Sequence, residues 1–146
     1  MRIGFLRTTL LVAVLGLTAQ QPASADIRIV ASTGGQIGEF LELFAAVRQS
    51  GQRVVIDGPC LSACTLVLSV VPRSRICITG RAMLGFHGAW TPGRRGRPLQ
   101  VPEASALMLA SYPAPVRSWI TRRGGLNSRV LVLRGRELAA IIPACR

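Results

Sequence analysis

Arg53-Val-Val-Ile-Asp57, then Gly58-Pro59, then Cys60-Leu-Ser-Ala-Cys-Thr-Leu66 is the stretch whose reading decides the fold. The valines and isoleucine between Arg53 and Asp57 predict a strand. Gly58-Pro59 breaks it. Ser62 to Val70 is almost wholly apolar and reads as a buried helix stopped by Pro72. A strand that hands its chain to a buried helix is one unit of an α/β layered fold.

The flanks extend this pattern in both directions. Upstream, residues 27–32 predict a strand and Thr33-Gly34-Gly35 a turn. Ile37, Phe40, Leu41, Phe44 and Ala45 then recur at helical spacing, with Glu39, Glu42 and Arg48 as a solvated face. Ser50-Gly51 ends that helix. Downstream, Arg75–Thr79 and Ala82–Phe86 predict two strands joined by Gly80-Arg81. Strand, helix, strand, helix, strand is the order of an α/β protein with a largely parallel sheet.

Beyond residue 90 the pattern weakens. Residues 91–98, with Arg94-Arg95-Gly-Arg97, predict a mobile basic loop. Glu103–Ser111 predicts a helix, Pro113 and Pro115 interrupt it, and Val116–Arg122 resumes it. Gly124-Gly125 is a turn. Arg129–Leu133 reads either as a strand or as a short helix capped by Asn127. Glu137–Ile142 predicts a short helix before Pro143. No internal repeat is visible.

The first twenty-five residues read as a secretory signal peptide. Arg2 and Arg7 precede an apolar run from Thr8 to Leu17, and Ala23-Ser24-Ala25 supplies small cleavage-site residues. The run is short for a membrane span. Cleavage would leave one domain, residues 26–146, in a periplasmic or secreted location. Its 49% hydrophobic content suits a globular chain. All 18 basic residues are arginine, and the expected mature chain keeps 16 of them against 6 acids, a net charge of +10. Such a surface can meet an anionic membrane or nucleic acid. The scatter of the arginines, without an aromatic stacking platform, argues against nucleic acid and fits codon usage in a GC-rich genome.

Four cysteines, Cys60, Cys64, Cys77 and Cys145, suggest two disulfides in an exported chain, with three connectivities open. One of them could tie the tail at Cys145 to the core. A single histidine and no C-x-x-C argue against a zinc site, and no metal or cofactor is implied.

The candidate chemistry lies at strand ends. His87, the lone histidine, stands twenty-five residues after Ser62, in Met83-Leu-Gly-Phe-His87. A hydroxyl and an imidazole so placed, with glycine-rich backbone nearby, are the parts of an activated nucleophile. In isolation Ser62 reads as a helix N-cap, His87 as a satisfied strand-end histidine, Trp90 and Trp119 as core or rim, and Asp57 as a turn residue.

Taken together, Ser32-Thr-Gly-Gly35 before a helix, Gly58-Pro-Cys-Leu-Ser-Ala-Cys-Thr65 opening a second, and Met83–His87 ending a strand resemble the Clp protease proteolytic subunits. The wider ClpP/crotonase superfamily is included, and the small exported ClpP-like proteins of proteobacteria are the most similar. The resemblance covers residues 26–90 well and 91–146 loosely. It implies a layered spiral of short ββα units. Ser62 would be the nucleophile and His87 the general base. The backbone N–H groups of Ala63 and of Gly34 or Gly35 would form the oxyanion hole. The substrate would be a peptide or protein aligned along a strand edge.

The chain departs from the family at the third catalytic member, because no Asp follows Asp57. Glu137 falls near the equivalent position and is the candidate orienter of His87; otherwise the site is a Ser-His dyad or inert. The segment after His87 is shorter than in the peptidases, which puts ring assembly in doubt and leaves the oligomeric state open. An ATP-dependent unfoldase is not expected outside the cytoplasm. A Cys60–Cys64 bond would brace or crowd the Ser62 turn. Two other functions stay open: a non-catalytic module that binds extended peptide or an envelope partner, and crotonase-type thioester chemistry on the same oxyanion hole.

Overall fold

The computed structural model describes residues 25–146; the expected leader lies outside them apart from Ala25. The elements in chain order are β1 (Ile27–Ile29), α1 (Ile37–Ser50), β2 (Val54–Ile56), β3 (Pro59–Leu61), a 3-10 turn (Ser62–Leu66) running into α2 (Val67–Val70), and β4 (Ile76–Ile78). They continue with β5 (Met83–Phe86), β6 (Trp90–Pro92), β7 (Pro98–Gln100), α3 (Pro102–Ser111), α4 (Ala114–Thr121), β8 (Leu131–Arg134) and α5 (Gly135–Ala139).

Two small sheets carry a mixed α/β domain. The first has the order β1-β2-β4 and is parallel throughout. Its middle strand, Val54-Val55-Ile56, is buried on both faces, which is why that run is continuously apolar. The second has the order β3-β5-β8, with β3 parallel and β8 antiparallel to β5. Ser32 pairs with Cys60 and extends this sheet at its other edge.

Three times the chain leaves the first sheet and steps directly into the second: from β1 to Ser32, from β2 to β3, and from β4 to β5. The step explains two departures from the sequence reading. The strand expected over 27–32 stops at Ile29 because Val30 and Ala31 form the step. Gly58-Pro59 does not end β-structure; it changes sheet, and Pro59 opens β3 at a strand's first position, where proline is tolerated. The crossing is tight. A Cβ on Gly58 would stand 2.0 Å from the Val30 carbonyl oxygen, so only glycine fits.

Asp57 pins these steps together, a larger role than the turn residue expected of it. Its buried carboxylate accepts hydrogen bonds from Arg28 (2.7 Å), Thr79 (2.6 Å) and Arg81 (2.5 and 3.1 Å). The Arg81 hydrogen bond first, then Thr79 and Arg28, hold its pKa well below the usual carboxylate range, against the opposing effect of burial. Arg81 is raised in return, chiefly by the same bond.

α1 buries Phe44 and Val47 and stops at Gly51, whose left-handed φ of 77° makes the usual helix exit. The core gathers Val54, Ile56, Val67, Leu84, Leu133 and their neighbours. Phe86 packs edge-on to Tyr112 at 5.3 Å and tilted against Trp119 at 6.1 Å.

The C-terminal third differs more from expectation. Residues 91–98 are not a plain loop but the body of a hairpin, β6 pairing β7 across an Arg94–Gly96 turn. Pro92 and Pro98 face each other in it, and prolines opposite one another hide a strand signal. α4 begins at Ala114, so Pro115 lies in its first turn, where no N–H is needed. The ambiguous segment 129–133 is a strand: Leu131 and Leu133 are buried while Val132 and Arg134 are exposed. Asn127 does not cap a helix; its side-chain oxygen accepts the Arg129 N–H. α5 starts at Gly135, two residues before the expected helix.

Disulfides join Cys60 to Cys64 and Cys77 to Cys145. The second ties the tail to β4, beside a parallel bridge between Ile78 and Ala144. Among the described residues, no helix is long and apolar enough to cross a membrane, and no cluster of three or more His, Cys, Asp or Glu is arranged to hold a metal.

Candidate functional site

Ser62 sits where β3 ends. Leu61 is still extended (φ −111°, ψ 154°), and Ser62 itself turns to φ 56°. A serine in the left-handed region is uncommon and persists only where its surroundings hold it. The helix expected from Ser62 to Val70 therefore begins with a tight 3-10 turn and becomes α-helical only at Val67.

The surroundings are specific. The Thr65 hydroxyl donates to the Ser62 carbonyl at 2.7 Å. With that hydrogen committed, the Tyr112 hydroxyl is the donor in its 2.6 Å bond to Thr65 Oγ1. Burial pushes the Tyr112 phenol up to about 12, partly offset by the Thr65 bond, so it stays protonated and able to donate. The Cys60–Cys64 disulfide spans the same turn, and both cysteines are buried.

Gly34 closes the turn from the other side. Its φ is 86°, and a Cβ there would meet Ser62 Cβ at 2.5 Å, the Leu61 carbonyl oxygen at 2.7 Å and the Ala63 nitrogen at 3.0 Å. Its own N–H donates to Ser32 Oγ at 3.3 Å. Gly35 follows, with the Glu39 carboxylate 4.0 Å from where its Cβ would stand. The Ala63 N–H lies in the first turn of the helical segment, where backbone donors have no carbonyl of the same helix to meet.

His87 follows Phe86 at the end of β5. Its Nδ1 lies 2.7 Å from the Gly88 carbonyl oxygen. A carbonyl can only accept, so Nδ1 carries the hydrogen and, in the neutral ring, Nε2 is left as the acceptor. Gly88 is itself held by its N–H bond to the Asn127 carbonyl at 2.6 Å.

Gly34, Gly35, Ser62 and His87 line one cleft of about 660 Å³. No family model, curated protein or solved structure matches the chain. The geometry of this cleft is therefore what carries a functional reading.

Ser62 and His87 face the same cleft without a hydrogen bond between them. Glu137 is not brought to His87. It sits on α5, its side chain 55% exposed, and pairs with Arg123, whose guanidinium lies 4.1 Å from the centre of the Trp119 ring. The Nδ1 position where an orienting carboxylate would act belongs to the Gly88 carbonyl.

Several site residues escaped the sequence reading. Ile37, Trp90, Thr91, Pro92 and Met108 also line the cleft. Trp90, expected in the core or at a rim, is half exposed at its edge. Thr65 stands inside the motif already quoted and could have been weighed as a partner of the turn. Tyr112 lies 47 residues from Thr65, and nothing local announces their contact.

Proposed function

We propose that the chain is an exported serine hydrolase of ClpP/crotonase type, acting on a peptide or related acyl bond. The observation that carries this reading is the left-handed Ser62 turn, packed against Gly34 and sharing a cleft with an imidazole whose Nε2 is free to accept. The threefold step from one sheet to the other supports the family's layered spiral of ββα units. Two disulfides support an oxidising compartment.

In this mechanism Ser62 Oγ attacks the substrate carbonyl while His87 Nε2 takes its proton. The Gly88 carbonyl keeps the ring in the required tautomer and takes over the orienting task proposed for Glu137. The tetrahedral oxyanion is met by the Ala63 N–H and a Gly34 or Gly35 N–H; Gly34 is already turned toward Ser32, which favours Gly35. His87 returns the proton to the leaving group, and water hydrolyses the acyl-enzyme by the same route in reverse.

Reacting the oxidised mature chain with a fluorophosphonate and mapping the adduct by mass spectrometry tests this. Labelling at Ser62 that vanishes in Ser62→Ala and falls by about a hundredfold or more in His87→Ala is the expected result. A folded, monodisperse chain that never labels sinks it. The second reading, a non-catalytic module that binds extended peptide or an envelope partner in the same cleft, is favoured by Glu137 being committed to Arg123. Under that reading, peptide binding would survive Ser62→Ala.

A further inference from the structure

We infer that the Cys60–Cys64 disulfide, with the Thr65–Tyr112 pair, positions Ser62, so that the site is assembled only once those two thiols have been oxidised. The inference rests on Ser62 being the nucleophile of the proposed reaction.

Independent restraints converge on one strained residue. The disulfide encloses Leu61, Ser62 and Ala63 within a five-residue ring. Both ends of the ring are anchored: Cys60 is paired in the second sheet with Leu84 and with Ser32, and Cys64 is 1% exposed in the core. The Ser62 carbonyl is held by Thr65, and Thr65 by Tyr112. Gly34 fills the remaining side.

Remove the covalent tie and the turn can relax its left-handed residue toward ordinary extended or helical backbone. That relaxation re-aims Oγ and also the Ala63 N–H. Both would-be catalytic groups depend on the same backbone torsion, so one bond governs them together. The other disulfide joins β4 of the first sheet to the tail and encloses none of these residues.

Forming the bond removes two protons and two electrons from the thiols of Cys60 and Cys64. An exchanging disulfide, such as oxidised glutathione, receives them and leaves as two thiols. A chain folded in a reducing compartment would thus carry an idle serine, and oxidation would switch it on. Because both cysteines are buried, substitution probes the tie more cleanly than added reductant.

The test compares the oxidised mature chain with the double variants Cys60→Ala/Cys64→Ala and Cys77→Ala/Cys145→Ala. It reads fluorophosphonate labelling at Ser62, amide hydrogen exchange over residues 61–64, and near-ultraviolet circular dichroism. Loss of the Cys60–Cys64 bond should slow labelling by about tenfold to a hundredfold and raise exchange, with the dichroism kept. Loss of the Cys77–Cys145 bond should lower thermal stability and leave labelling intact. A folded Cys60→Ala/Cys64→Ala chain with unchanged labelling and exchange overturns the proposal.

If the parent chain does not label at all, the hydrolase reading has failed, and exchange alone decides the positioning claim: raised supports it, unchanged overturns it. Should the first double variant not fold, Tyr112→Phe replaces it. A several-fold slower labelling, with the chain still folded and its melting temperature lowered by only a few degrees, supports the proposal, and unchanged labelling overturns it.

Discussion

The two disulfides bind two differently built regions. Cys77–Cys145 joins residues 68 apart and holds the chain's tail against β4, while Cys60–Cys64 joins residues 4 apart around a single turn. A long loop closed by a covalent bond removes much freedom from the unfolded chain; a short one removes less. The tail bond is thus suited to stability. The short bond contributes less to stability and acts instead on the conformation of the residues it encloses. The same division runs through the polar contacts: Asp57 holds the steps between the sheets, and Thr65 with Tyr112 holds the turn at the cleft.

That division can be broken by measurement. Chain-entropy arithmetic gives about 4 kcal/mol for the tail bond and about 2 kcal/mol for the turn bond. Urea unfolding of the two double variants should show that order, and a larger loss on removing Cys60–Cys64 would collapse the distinction. Gly34→Ala comes next. Its Cβ would overlap Ser62 and Leu61 in a left-handed conformation, so it should lose about 2 kcal/mol and slow labelling at Ser62 as well. Retained labelling would show that Gly34 belongs to folding alone. Tyr112→Phe removes a single buried hydroxyl and leaves Thr65 its bond to Ser62. About 1 kcal/mol is expected from denaturant titration.

The acid limb sharpens the other side of the comparison. Asp57 is depressed in the folded chain, so its contribution is fully present above the unfolded carboxyl value of about 3.9 and is lost as pH falls toward the folded value. The urea midpoint of the parent chain should decline below about pH 4, and Asp57→Asn should decline less over the same range. Equal slopes would remove Asp57 from the account of how the sheets are joined.

Much of residues 26–90 was legible because their signals are local. Val54–Ile56, Ile76–Ile78 and the stripe through Phe44 announce themselves by composition and period, and α1, β2, β4 and β5 lie within a residue or two of their expected ends. Ser62, His87 and Gly34-Gly35 stood out because serine, a lone histidine and paired glycines at strand ends are locally recognisable, and the structure brings them to one cleft. Residues beyond 90 were less legible. The β6–β7 hairpin carries facing prolines, and β8 exists because β5 offers it an edge. Glu137 was placed by spacing, but spacing carries no information about Arg123, which holds it.

By itself, then, the chain determined its α/β class, its even set of cysteines and the residue types from which a nucleophilic site can be made. Hydrophobic period and turn chemistry act over a few residues, and these properties need no more than that. Tertiary structure decided the disulfide pairing, the transfer of each strand into a second sheet, Asp57 as the pin of those steps, Gly88 as the partner of His87, and Tyr112 as the support beneath Ser62. Each depends on groups brought together from distant parts of the chain, and only the packed core sets which of them meet.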